Sequence, residues 1–168
     1  VACIGETTTI TPSVDSTVVV SWNFNASNTT GASTDANLAT AGNASRGAGV
    51  GDAGFVSGCN STSTAFSGNN WTSATEAEAI SGNDYFEFPI NILGPVRLTK
   101  FSFFERAAGT GPISWALYVN GTKYSTGTTS DPCMQESRDL DIAICGASAL
   151  IRIYAWRETS GGSATGTW

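Results

Sequence analysis

Fourteen carboxylates and no histidine set the range of chemistry open to this chain. A Ser-His-Asp or Cys-His relay needs an imidazole to take and return a proton, so neither can be built. Glycoside hydrolysis needs only two carboxyl groups at a suitable separation. In "TEAEAI", Glu76 and Glu78 would share a face if that segment is extended. Glu87 in "DYFEF" and Glu105 in "FFER" could face each other across neighbouring strands. The plainer reading makes both of them solvated outer-face residues, paired with Arg97, Lys100 or Arg106. The E-x-D-x-x-E pattern of sandwich-fold glycoside hydrolases is absent. The expectation is a protein that turns over no substrate.

Binding chemistry has more support. A sugar's C–H face stacks on an aromatic plane, so glycan sites present Trp and Tyr beside hydrogen-bonding side chains. Tyr154 and Trp156 fall on one face of "LIRIYAW" with Arg152, and Trp71 sits in the polar stretch "GNNWTS". These three rings are the candidate glycan platform. The competing reading packs Tyr154 and Trp156 under a loop and makes Trp22 and Trp115 core residues. Asp35, Asp52 and Asp84 are loop acids that could hold a structural calcium ion, although no EF-hand spacing exists. Arg46 and Arg152 are read as structural arginines that bind loop carbonyls or a carboxylate such as Asp84. Gly47, Gly49 and Gly51 lack the following helix and G-K-[ST] of a phosphate loop, and so mark a tight bend or bulge.

Six N-x-[ST] sequons, at Asn25, Asn28, Asn43, Asn60, Asn70 and Asn120, are candidate glycosylation sites, though a chain rich in Asn, Ser and Thr produces sequons by chance. "DST" at Asp15 to Thr17 has the form of a bacterial O-glycosylation acceptor. Cys3, Cys59, Cys133 and Cys145 admit three pairings, with buried free thiols as the alternative. The favoured pairing joins Cys133 to Cys145 across a short segment and leaves Cys3 for Cys59. Without histidine or a CxxC spacing, a zinc site is disfavoured, and disulfides fit an oxidising compartment. "VACIGETTT" reads like a mature N-terminus after signal cleavage. Net charge is −6 with eight Lys and Arg, which disfavours nucleic acid and an anionic membrane surface as partners. No membrane-spanning segment is visible in the sequence.

The elements that must position these residues are strands. Charged residues are 13% of the chain, roughly half the usual share, and no amphipathic helical stretch stands out. Period-2 runs recur between turn signals. "STVVVSWNF" puts Val18, Val20, Trp22 and Phe24 on one face, and "DYFEFPI" aligns Phe86, Phe88 and Ile90. "LTKFSFFE" buries Phe101 and Phe103, "ISWALYV" aligns Ile113, Trp115, Leu117 and Val119, and "LIRIYAW" turns Ile151, Ile153 and Ala155 inward. Asn120-Gly121 predicts a type I′ hairpin turn. Residues 26–70, rich in Gly, Ser, Asn and Ala, are read as long surface loops with one or two short strands. The expected fold is all-β: a two-sheet antiparallel β-sandwich over residues 1–168 with long Gly/Ser/Asn-rich loops.

The order "SWNF", "ASRGAGVG", "NNWTSAT", "DYFEFPI", "LTKFSFFERAAGTGPISWALY" and "IRIYAW" resembles a jelly-roll-like β-sandwich module of large exported bacterial cell-surface proteins. That resemblance implies an extracellular location and no established catalytic site. Such modules usually continue past the "GTW" position with a further strand that closes a sheet. The expectation is therefore an open edge filled by a neighbouring copy, with residues 1–14 ("CIGETTTITPSV" within them) as the exchanged segment. A self-contained monomer closed by its own N-terminal segment is the alternative. The functional expectation is a secreted structural or adhesive protein that assembles with copies of itself. Binding of extracellular glycans is the rival.

Overall fold

The computed structural model describes residues 20–59, 64–144, 146–157 and 166–168. Twelve strands and one helix follow one another: β1 (Val20–Ser21), β2 (Ala32–Ser33), β3 (Ala39–Ala41), β4 (Ser45–Arg46), β5 (Gly51–Ser57), β6 (Thr64–Asn69), α1 (Glu76–Gly82), β7 (Tyr85–Ile92), β8 (Val96–Glu105), β9 (Ser114–Val119), β10 (Thr122–Thr128), β11 (Met134–Ile144) and β12 (Ser148–Trp156). One layer is a six-stranded antiparallel sheet in the order β10-β9-β12-β7-β3, with β4 also pairing β7. Three separate two-stranded ribbons, β1–β2, β5–β6 and β8–β11, make up the other sheets. The fold is all-β and sandwich-like.

Large apolar residues at alternate positions build the core. Phe86, Phe88, Ile90 and Ile92 of β7, Trp115, Leu117 and Val119 of β9, and Ile151, Ile153 and Ala155 of β12 are buried together. Phe66 of β6 and Ile142 and Ile144 of β11 join the same cluster, with Trp22, Phe24, Phe55, Phe101 and Phe103 partly buried against it. Ring pairs cross the interior: Trp22 on Phe88 at 5.2 Å, Phe66 on Phe86 at 5.3 Å and Phe103 on Trp115 at 5.2 Å. From β7 onward the chain shuttles, with β7, β9, β10 and β12 in the sheet and β8 and β11 in the ribbon. Asn120 and Gly121 have φ of 50° and 78°, the two left-handed residues of the type I′ turn between β9 and β10.

Residues 26–70 are more ordered than their composition suggests. They hold β2 to β6, whose residues are mostly Ala, Gly, Ser and Thr. Gly47, Gly49 and Gly51 mark close packing, since a Cβ on Gly49 would collide with the Asp84 carboxylate. "TEAEAI" forms helix α1 and is not extended. Thr75 caps it by accepting from Glu78 N (3.2 Å), and Glu78 accepts from Ala74 N (2.7 Å). This is a close variant of the capping box. Ile113 lies just ahead of β9 and stays exposed. Of "STVVVSWNF", only Val20–Ser21 is a described strand, and residues 16–19 lie outside the described residues. No described helix is long and apolar enough to cross a membrane.

Candidate functional site

The seam between the β5–β6 ribbon and the β8–β11 ribbon gathers the unusual chemistry. Strand parity puts Phe101, Phe103 and Glu105 of β8 on one face, so an acid follows two inward aromatics into the interior. Glu105 is buried. Its carboxylate accepts from Ser130 N (2.9 Å), Ser130 Oγ (2.8 Å) and the Trp168 indole Nε1 (2.9 Å). Burial pushes its pKa up, and this outweighs the three donors, with nearby Glu136 adding to the rise. Glu136 is buried on β11 and pairs with Arg138 at 2.7 Å. The Arg138 guanidinium lies 4.9 Å from the Trp115 ring centroid.

The seam is crossed twice. Cys59 follows β5, Cys133 precedes β11, and a disulfide joins them with a Cα separation of 5.3 Å. The Cys59 sulfur packs 3.6 Å from the Glu105 carbonyl oxygen. Gly166 to Trp168 make the second crossing. Gly68 of β6 exchanges backbone hydrogen bonds with Trp168 (2.9 and 3.0 Å), and Ala108, beyond the end of β8, donates to Thr167 O at 2.9 Å.

The disulfide corrects the favoured Cys3–Cys59 and Cys133–Cys145 pairing. Between Cys133 and Cys145 the chain is the eleven-residue strand β11. At about 3.3 Å per residue it spans roughly 36 Å, far beyond disulfide reach. Cys3 and Cys145 themselves lie outside the described residues.

The expected sugar platform does not form. Trp71 is fully buried, and Tyr154 and Trp156 are 6% and 7% exposed. Trp71 packs edge-on against Phe86 and Trp168 at 5.1 and 5.4 Å. Tyr154 and Trp156 lie beneath α1 in a second small core with Ala79 and Ala116. Helix α1 covers the sheet face that the sequence pattern left bare.

Glu87 and Glu105 are not across neighbouring strands, because β7 and β8 belong to different sheets. Glu87 accepts from Arg152 Nε at 2.8 Å, and the Arg152 guanidinium sits 4.4 Å from the Tyr85 ring centroid. Burial lowers the Arg152 pKa, but bonds to Tyr154 and Glu87 outweigh it and hold it above the ordinary value. Tyr118 donates to Glu76 at 2.6 Å, and Lys123 pairs with the same acid at 3.0 Å. Burial and the Glu76 carboxylate push Tyr118 up to about 12. Burial raises the Glu76 pKa, yet the Tyr118 and Lys123 contacts prevail and lower it. These pairs pin the helix to the sheet. Arg97, Lys100 and Arg106 pair instead with Asp141, Asp139 and Asp131.

The calcium candidates serve separate local roles. Asp35 accepts from Asn37 N, Asp52 pairs with Arg46, and buried Asp84 accepts from Ser73 Oγ at 2.6 Å. Among the described residues no group of three or more such ligands gathers. Arg46 donates to the carbonyls of Ser67 and Gly54 at 2.6 and 2.8 Å, so it binds loop carbonyls as expected, with Asp52 as its acid in place of Asp84. Asn25, Asn28, Asn43, Asn70 and Asn120 are exposed, and Asn60 lies outside the described residues.

No protein-family model, curated protein or solved structure matches this chain. The resemblance to exported surface modules therefore rests on motif order alone. Of the two residues central to the seam, Glu105 is a buried, hydrogen-bonded acid and not the solvated outer-face residue of the plainer reading, and Trp168 is not among the sequence-predicted site residues. The parity of "FSFFE" carried the signal for the first, since Glu105 keeps step with Phe101 and Phe103.

Proposed function

We propose that this chain is an extracellular structural or adhesive module that assembles with copies of itself through strand exchange or edge pairing. The observation that carries this reading is that the described strands outside the six-stranded sheet are divided among three separate ribbons. Inward-facing Trp22, Phe24, Phe55, Phe101 and Phe103 remain only partly buried. Among the described residues, ten-residue β8 has β11 as its one ladder partner. A strand laid along the unpaired edge of β8 would satisfy its backbone groups and flank Phe101 and Phe103. Residues 1–14 of a neighbouring copy, rich in Thr, Ile and Val, suit that role. Burying about four apolar side chains would contribute on the order of 6–12 kcal/mol before the costs of association. Exposed sequons, few charges and a disulfide support the extracellular setting.

Negative-stain microscopy and light scattering of the oxidised protein test the proposal. Fibres or concentration-dependent oligomers are expected, and deletion of residues 1–14 should abolish them. A protein that stays monomeric up to millimolar concentration would refute it.

A further inference from the structure

The segment Gly166 to Trp168 sits in the seam as a bound peptide would. Trp168 N donates to Gly68 O and Gly68 N donates to Trp168 O, which extends the β6 edge by one strand-like residue. On the other side Ala108 N donates to Thr167 O, and Gly166 N donates to Thr110 O at 3.1 Å. The indole enters a pocket where it stacks on Phe86 (5.4 Å, 29°), meets Trp71 edge-on and donates to Glu105. A Cβ at Gly166 would lie 2.5 Å from Gly111 N, so the position admits glycine alone without a shift of backbone. Main-chain bonds on both sides, one deep aromatic pocket and one position closed to side chains are the features by which a sheet edge selects a peptide.

We propose that this cleft is a recognition site for the Gly-Thr-Trp segment of a second copy, filled by the chain's own segment when copies are apart. The proposal rests on the self-assembly reading and assigns it a second exchanged segment. Eight residues, 158–165, join β12 and Arg157 to Gly166, and fully extended they reach about 30 Å. A neighbour's cleft within that distance receives the same contacts as the chain's own. The occupant is then decided by effective concentration, which packing into an assembly raises.

The test uses the 168-residue chain carrying Trp168→Ala and an end-capped peptide of residues 163–168, "SATGTW". Calorimetry should show saturable binding, and peptides with Ala for Trp168 or Val for Gly166 should bind at least tenfold more weakly. If Trp168→Ala does not fold alone, recovery of a cooperative melt on adding peptide is the same positive result. A variant, folded or unfolded, on which millimolar peptide has no effect refutes the inference. Native mass spectrometry of Trp168→Ala mixed with unaltered chain should reveal mixed dimers, and peptide binding without them refutes exchange between copies. Fibres formed by Trp168→Ala, with its cleft rejecting the peptide, would overturn this inference and leave the assembly reading standing.

Discussion

Replacing Cys59 and Cys133 together by Ala removes the covalent tie between two ribbons that share no described ladder. The double replacement leaves no stray thiol from this pair. The two cysteines are 74 residues apart, and chain-entropy closure of such a loop is worth about 4.4 kcal/mol at 25 °C. Set against the roughly 5–15 kcal/mol of a typical domain, that is a large fraction. For a chain of this size about 4 kcal/mol corresponds to roughly 8–16 °C in Tm. Differential scanning calorimetry of oxidised parent and variant measures the shift directly. Non-reducing peptide mapping of the parent should return a Cys59–Cys133 linked peptide. A Tm lowered by less than about 2 °C, or a map that joins Cys133 to Cys145, would refute the reasoning.

Other perturbations separate packing from binding roles. Trp71→Ala should destabilise the fold by about 3–5 kcal/mol, measured by urea unfolding, because the ring is fully buried; a variant that loses glycan binding at unchanged stability would contradict this. Glu105 has a folded pKa raised by burial, so its contribution to stability is full below the unfolded pKa and is lost as pH rises through the folded one. The stability difference between Glu105→Gln and the parent should therefore move in the variant's favour across that window, and a pH-independent difference would count against a buried charge. Ultraviolet titration should find one tyrosine ionising near pH 12 that is missing from Tyr118→Phe; an unchanged titration curve would deny the Glu76 bond.

Legibility in the sequence follows side-chain size. Strands β7, β9 and β12 carry large apolar residues two apart, so their inner faces read directly from "YFEFPI", "SWALYV" and "ALIRIYAW". Strand β11 does not read that way, because Glu136 and Arg138 occupy inward positions and neutralise each other there. The small residues of β2 to β4 leave little periodic signal, and their pairing is decided by neighbours distant in sequence. Helix α1 is seven residues long, too short for its periodicity to show, and only the folded chain reveals Thr75 and Glu78 as its capping pair. Without that helix the face bearing Tyr154 and Trp156 reads as an exposed platform, and with it the two rings are covered. The cysteine pairing failed for a related reason: closeness in sequence does not mean closeness in space when an extended strand lies between.

The place of β12 has a consequence for biogenesis. It lies between β7 and β9, yet it is the last described strand to be synthesised. Until residue 148 has emerged, both neighbours present raw edges and half of the main sheet has nothing to dock on. A chain threaded through a ribosome tunnel or an export pore must therefore leave the main sheet incomplete until β12 has passed, a state compatible with translocation and exposed to misassociation along the way.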